Sequence, residues 1–174
     1  IWSSLVGSEM CIRDSFIEEK AFSITEASNF LEKIKNDFYI TAHANQFTSG
    51  GLKVGVDNGA VSVDHLEVIT NQEIDYLSKS DTTGVVLPGC SLGLGIPFAP
   101  ARKLLDYNCK VSIASDWNPG SAPMGDLLMQ ASLLGSTEKL SNAEVLAGIT
   151  CRAANALSLD CLLYTSDAAD DTDS

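Results

Sequence analysis

Four short apolar runs, each ending in polar or turn-forming residues and each separated from the next by a helix-length segment, constrain this chain most. The runs cover residues 38–42 (FYITA), 60–63 (AVSV), 85–87 (VVL) and 111–114 (VSIA). They end respectively in HANQF, DHLE, Pro88-Gly89 and SDWNPGS. Between them lie helical patterns. Ser23 with Glu26 three residues on reads as a capping box, followed by apolar Ala27, Phe30, Leu31 and Ile34. Residues 52–58, 71–79 and 100–107 read as further helices. Two more are expected near 124–134 and 142–157, the second capped by Ser141 with Glu144. Short buried strands alternating with helices predict an α/β fold with a parallel sheet. About four βα units fit, which is half of a (β/α)8 barrel. A small doubly wound sheet is the alternative, but no glycine-rich phosphate fingerprint accompanies it.

The two ends read differently from the middle. Back-translated, residues 5–14 (LVGSEMCIRD) spell the transposase adapter and mosaic end of sequencing-library preparation. Residues 161–170 (CLLYTSDAAD) spell the same mosaic end in the opposite sense. The expected organisation is therefore adapter-derived residues at 1–15 and 161–174, flanking a barrel fragment at 16–160. The flanks hold six acids and one base, so the formal charge of −12 becomes −7 for the middle segment.

A net negative charge argues against nucleic acid or an anionic membrane as partner. No apolar run reaches the roughly 18 residues of a membrane span. The five cysteines form no CxxC pair and suggest reduced thiols, hence a cytoplasmic setting.

Both histidines, His43 and His65, stand at strand ends, and Asp116 stands at a third. That edge is where barrels of this kind gather functional groups. Imidazole and carboxylate are natural donors to Zn or Fe, but three candidates are only just enough for a catalytic site. Asn118-Pro-Gly-Ser121 forces a turn directly after Asp116, and such a turn is expected to offer backbone N–H groups and the Ser121 hydroxyl to a ligand. The glycines at 89, 93 and 95 read as a loop, and Arg102 and Lys103 as a solvated helix face. Leu127, Leu128, Ala131 and Leu134 read as a core stripe.

FIEEKAFS at Phe16, HANQF, VSVDHLE, VVLPG, PFAPARKLLD, IASDWNPGSAP and LAGITCRAANAL together resemble the imidazolonepropionases of the amidohydrolase superfamily. The resemblance implies a metal-dependent hydrolase opening the ring of 4-imidazolone-5-propanoate to N-formimidoyl-L-glutamate in histidine degradation. It implies a single divalent metal, Zn or Fe, held in part by His43 and Asp116. It also implies catalytic roles for His65 and Asp116, and substrate contacts at Gln46, Asn118, Gly120 and Ser121. Many members carry Glu where Gln46 stands, and an amide cannot serve as a general base. The family's His-x-His is absent from this chain, so the fragment itself is expected to be inactive. The partner is expected to be a small-molecule substrate, and the parent enzyme is a candidate homodimer. Another cyclic-amide hydrolase or deaminase, or a binding relative that has lost the chemistry, are the competing readings.

Overall fold

The computed structural model describes residues 11–159. Five strands form one parallel sheet: β1 (Ile12–Ile17), β2 (Tyr39–Ala44), β3 (Ser62–His65), β4 (Thr83–Val86) and β5 (Val111–Ile113). The helices between and after them are α1 (Ile24–Ile34), α2 (Gly51–Asp57), α3 (Asn71–Ser78), α4 (Pro88–Leu94), α5 (Ala101–Asp106), α6 (Leu127–Glu138), α7 (Asn142–Ile149) and α8 (Cys151–Ala156).

The strands lie in the order β1-β2-β3-β4-β5, each beside its neighbour in sequence. A doubly wound sheet reverses its strand order at a switch point, whereas a barrel winds in one direction. The order here never reverses, so the architecture is an open arc of a (β/α)8 barrel. Among the described residues there are five strands where about four were expected. The additional one, β1, begins at Ile12, inside the stretch read as adapter-derived, and pairs Ile12 with Tyr39 through Ile17 with Ala44. The rest of the adapter readings, residues 1–10 and 161–174, lies outside the described residues.

The period-2 geometry of β2 divides its side chains between two faces. Ile40, Ala42 and Ala44 are buried, while Tyr39, Thr41 and His43 face the opposite side. The buried face joins Ile17, Val63, Val86 and Ile113 to Leu31, Leu52, Ile74, Leu77, Leu104 and Leu134 of the helices in one core. All four residues of β4 are buried, as expected of a strand covered on both faces. Capping boxes open α1 at Ser23/Glu26 and α7 at Ser141/Glu144, as the sequence indicates. A third, at Thr70/Glu73, opens α3.

Several sequence expectations are corrected. The glycine-containing stretch after β4 is the helix α4, entered through Pro88 at its first turn and ended by Gly95 in the left-handed region. Its glycines serve close approach: a Cβ on Gly89 would lie 2.8 Å from the Ser115 carbonyl oxygen, and one on Gly93 only 1.8 Å from that of Ser121. The helix near 124 starts later, at Leu127, because the Asp126 side chain caps it through the Met129 N–H. The stretch 142–157 is two helices rather than one. Thr150 (φ −126°, ψ −99°) breaks it, and its hydroxyl bonds back to the Leu146 carbonyl at 2.6 Å, competing with the helix ladder. Leu128 is 67% exposed and so leaves the core stripe, since α6 turns it to solvent. Arg102 is not simply solvated. It clasps Glu144 of the α7 capping box at 2.9 and 3.0 Å and Asp106 at 2.9 Å.

Candidate active site

All seven residues singled out in the sequence line one cavity of about 540 Å3 at the C-terminal edge of the sheet: His43, Gln46, His65, Asp116, Asn118, Gly120 and Ser121. Phe16, Phe47 and Leu94 complete its wall. A larger groove of about 840 Å3 runs across the outer face of α1, α2 and α3, but it contains neither histidine. The chemistry-bearing groups gather in the smaller cavity.

Each polar residue is held there by its element. His43 is the fifth residue of β2, on the face opposite the helix core. Its Nε2 lies 3.3 Å from Asp14 Oδ2 and 3.8 Å from Asp64 Oδ2, so two carboxylates flank the ring. Asp14 belongs to the stretch read as adapter-derived, whereas Asp64 is the residue paired with His43 in the β2–β3 register. Burial pushes the Asp64 carboxyl up to about 6, against the pull of His43 and the Ser62 hydroxyl and with a contribution from Asp14.

His65 closes β3 and is buried. Burial alone would lower its pKa, but the Cys90 and Glu67 side chains outweigh that and raise it to about 9. Its ring centroid lies 5.1 Å from that of His43 and 6.4 Å from that of Phe16. His65 (φ 82°) and Leu66 (φ 71°) both occupy the left-handed region, as do Asn45 (φ 58°) and Asp116 (φ 48°). Positive φ in non-glycine residues costs energy and persists where surrounding structure enforces it, often at functional sites. Four of the seven such residues in the described chain stand at or just past strand ends around this cavity.

The Asp116 loop is braced internally. Asn118 Oδ1 accepts the Gly120 and Ser121 N–H groups at 2.8 Å each, and Asn118 Nδ2 donates to the Asp116 carbonyl at 2.6 Å and to Ser121 Oγ at 2.9 Å. The turn therefore spends those N–H groups on its own asparagine instead of presenting them to a ligand, which corrects that part of the sequence reading. Ser121 Oγ also donates to Asp116 Oδ2 at 3.4 Å.

Sequence reasoning assigned no role to Glu18. Its buried carboxylate accepts the N–H groups of Gln46 (2.9 Å), Phe47 (3.0 Å) and Thr48 (3.1 Å) and the Thr48 hydroxyl (2.5 Å). It thereby fixes the loop that carries Gln46. Asn45 is held in turn by Glu73 at 2.7 Å and by the Leu52 N–H at 2.9 Å. The signal for Glu18 was its position just past a strand, but β1 itself was not foreseen.

No family model matches the chain. Among curated proteins it is 41% identical over 148 residues to the imidazolonepropionase of Christiangramia forsetii, covering 84% of this chain and 36% of that protein. Most of this chain is imidazolonepropionase-like. It is likewise 38% identical to the imidazolonepropionase of Deinococcus deserti, covering 84% of this chain and 37% of that protein. The imidazolonepropionase-like segment thus spans little more than a third of the length of these relatives. Its fold resembles part of the fold of solved amidohydrolases. An amidohydrolase from a Sargasso Sea environmental sample superposes with a TM-score of 0.69 at 17% identity, covering 91% of this chain and 40% of that one. A zinc-bound adenosine deaminase from Xanthomonas campestris gives 0.66 at 18% identity, covering 86% and 38%. Among the described residues no helix is long and apolar enough to cross a membrane.

Proposed function

We propose that this chain supplies the fourth to eighth strands of an imidazolonepropionase barrel, whose parent opens the ring of 4-imidazolone-5-propanoate by hydrolysis. The observation that carries the reading is the single cavity shared by His43, His65, Asp116, Gln46, Asn118 and Ser121. In this reading β1 to β5 are the fourth to eighth strands of the family barrel, with His43, His65 and Asp116 at the ends of the fifth, sixth and eighth.

His43 and Asp116 suit a divalent cation by donor type, and the carboxylates of Asp14 and Asp64 around His43 make the surroundings negative. When bound, such an ion lowers the pKa of water toward neutrality and polarises the substrate carbonyl. Zn and Fe both accept this donor set, and the zinc-bound deaminase favours Zn. Two donors fall one short of the usual three. The remainder belong to a part of the parent that this chain does not contain, so the isolated chain is inactive.

The chain's own residues supply the rest. Asp116, steadied by Asn118 and Ser121, accepts the proton of the attacking water. His65, protonated at neutral pH in its buried setting, donates to the oxygen or ring nitrogen that gains charge. Gln46 orients substrate or water and cannot act as the base. Phe16 and Phe47 wall the cavity with apolar surface. The parent acts on a small, soluble metabolite, consistent with a cytoplasmic enzyme, and a homodimer is the expected assembly.

A chimera tests this. Residues 16–160 replace the matching segment of the Christiangramia forsetii protein, and formation of N-formimidoyl-L-glutamate is followed. The expected result is turnover that falls at least a hundredfold on Asp116→Asn or His65→Asn. A folded chimera that does not turn over imidazolonepropionate but deaminates or hydrolyses another cyclic amide would replace this reading with that of a different amidohydrolase.

A further inference from the structure

Behind the cavity, His65, Glu67 and Cys90 bring an imidazole, a carboxylate and a thiol together, with their ligand atoms all within 4.8 Å of one another. The His65 and Glu67 side chains are 5% and 2% exposed, and Cys90 is fully buried. Two atoms of this group have no hydrogen-bond partner, His65 Nδ1 and Glu67 Oε2, and they face each other across 3.7 Å. Buried polar atoms are rarely left so, because each costs about 1–3 kcal/mol. The gap is too long for a hydrogen bond. It is close to the edge of a tetrahedron built on 2.0–2.1 Å bonds, roughly 3.4 Å.

The surroundings hold the three donors in place. Ser91 Oγ donates to the other Glu67 oxygen at 3.0 Å, which fixes the carboxylate. Gln46 Nε2 donates to Cys90 Sγ at 3.1 Å, which orients the sulfur as an acceptor. Consecutive left-handed residues, His65 and Leu66, fold the chain so that Glu67 reaches back to the ring two residues before it. Cys90 comes from the first turn of α4, whose placement is set by the contacts at Gly89 and Gly93.

We propose that His65 Nδ1, Glu67 Oε2 and Cys90 Sγ form a cation site for Zn(II) or a similar thiophilic divalent ion, separate from the His43/Asp116 pair. The charges balance: one carboxylate and one thiolate neutralise a dication in a buried setting, and binding releases two protons to solvent, the thiol proton of Cys90 and the Nδ1 proton of the His65 ring. A mixed nitrogen, oxygen and sulfur donor set favours Zn(II) or Co(II) over Mg(II) or Ca(II). An ion on Nδ1 would also fix the proton of His65 on Nε2. The site does not depend on the hydrolase reading.

The test titrates the 174-residue chain with Co(II) and follows near-ultraviolet absorption for a thiolate-to-cobalt band. The expected result is one equivalent of band-forming metal, with the band lost in Cys90→Ser and reduced at least tenfold in apparent affinity in Glu67→Gln. Glu67→Gln keeps the shape of the side chain, so it answers the question even where Cys90→Ser does not fold. His43→Asn and Cys109→Ser should leave the band unchanged. Absence of the band in the unaltered chain, or its persistence in both Cys90→Ser and Glu67→Gln, overturns the proposal. So does a nitrogen-15 spectrum in excess zinc showing a proton on His65 Nδ1.

Discussion

Gly93 of α4 packs its α-carbon against the carbonyl of Ser121 so closely that no side chain fits between them. The helix after β4 and the loop after β5 are therefore one unit, and the first positions the second. Gly93→Ala should destabilise the chain by about 2 kcal/mol or more, since backbone has to move to admit the methyl group. Urea unfolding is the measurement. An unchanged midpoint would show that α4 and the Asp116 loop are not in this contact.

Glu18 supports the other side of the cavity. Glu18→Ala leaves the three N–H groups of residues 46–48 without their acceptor and should cost about 2–4 kcal/mol. Glu18→Gln retains one acceptor oxygen and should cost less than half of that. Equal losses in the two variants, by the same urea assay, would mean that bulk and not hydrogen bonding matters at this position.

Acid stability should carry the mark of Glu144. Its carboxyl is held down to about 2 by the Ser141 N–H, the Ser141 hydroxyl and Arg102. A folded-state pKa below the ordinary 4.5 means that the stabilisation is complete above pH 4.5 and is lost as pH falls from there through about 2. Thermal midpoints measured across that window should fall less steeply for Glu144→Gln than for the parent chain. Arg102→Ala should give an intermediate slope, because the Ser141 contacts remain. Superimposable curves for all three would remove Glu144 from the account.

The sequence made some of this legible and hid the rest for physical reasons. Strand ends are visible because a β-strand carries its polar punctuation with it, so His43, His65 and Asp116 stood out. Capping boxes are local, and both that were expected formed. What stayed hidden depends on distant partners. Gly89 and Gly93 look like loop residues until Ser115 and Ser121 pack against them. Arg102 looks solvated until Glu144 arrives from 42 residues away. The pairing of Glu67 with Cys90 around His65 has no period or spacing to announce it. Asn118 misled in the opposite sense: its turn was foreseen, but the turn closes on itself.

Exposed apolar surface gives the last prediction. Phe47 is 55% exposed and Trp117 75%, both beside the cavity mouth, and β1 and β5 each leave one strand edge unpaired among the described residues. Unpaired edges invite intermolecular pairing. The 174-residue chain should associate with rising concentration in light scattering, and Trp117→Lys should lessen this. A monodisperse monomer at high concentration would contradict the expectation.

The unreversed winding of the five strands has a practical corollary. Among the described residues each strand lies beside its neighbour in sequence, so nothing there would need to be rethreaded to lengthen the arc at either rim. A separately made polypeptide carrying complementary βα units could dock on those rims by main-chain pairing, which makes this arc a natural component of a two-piece barrel.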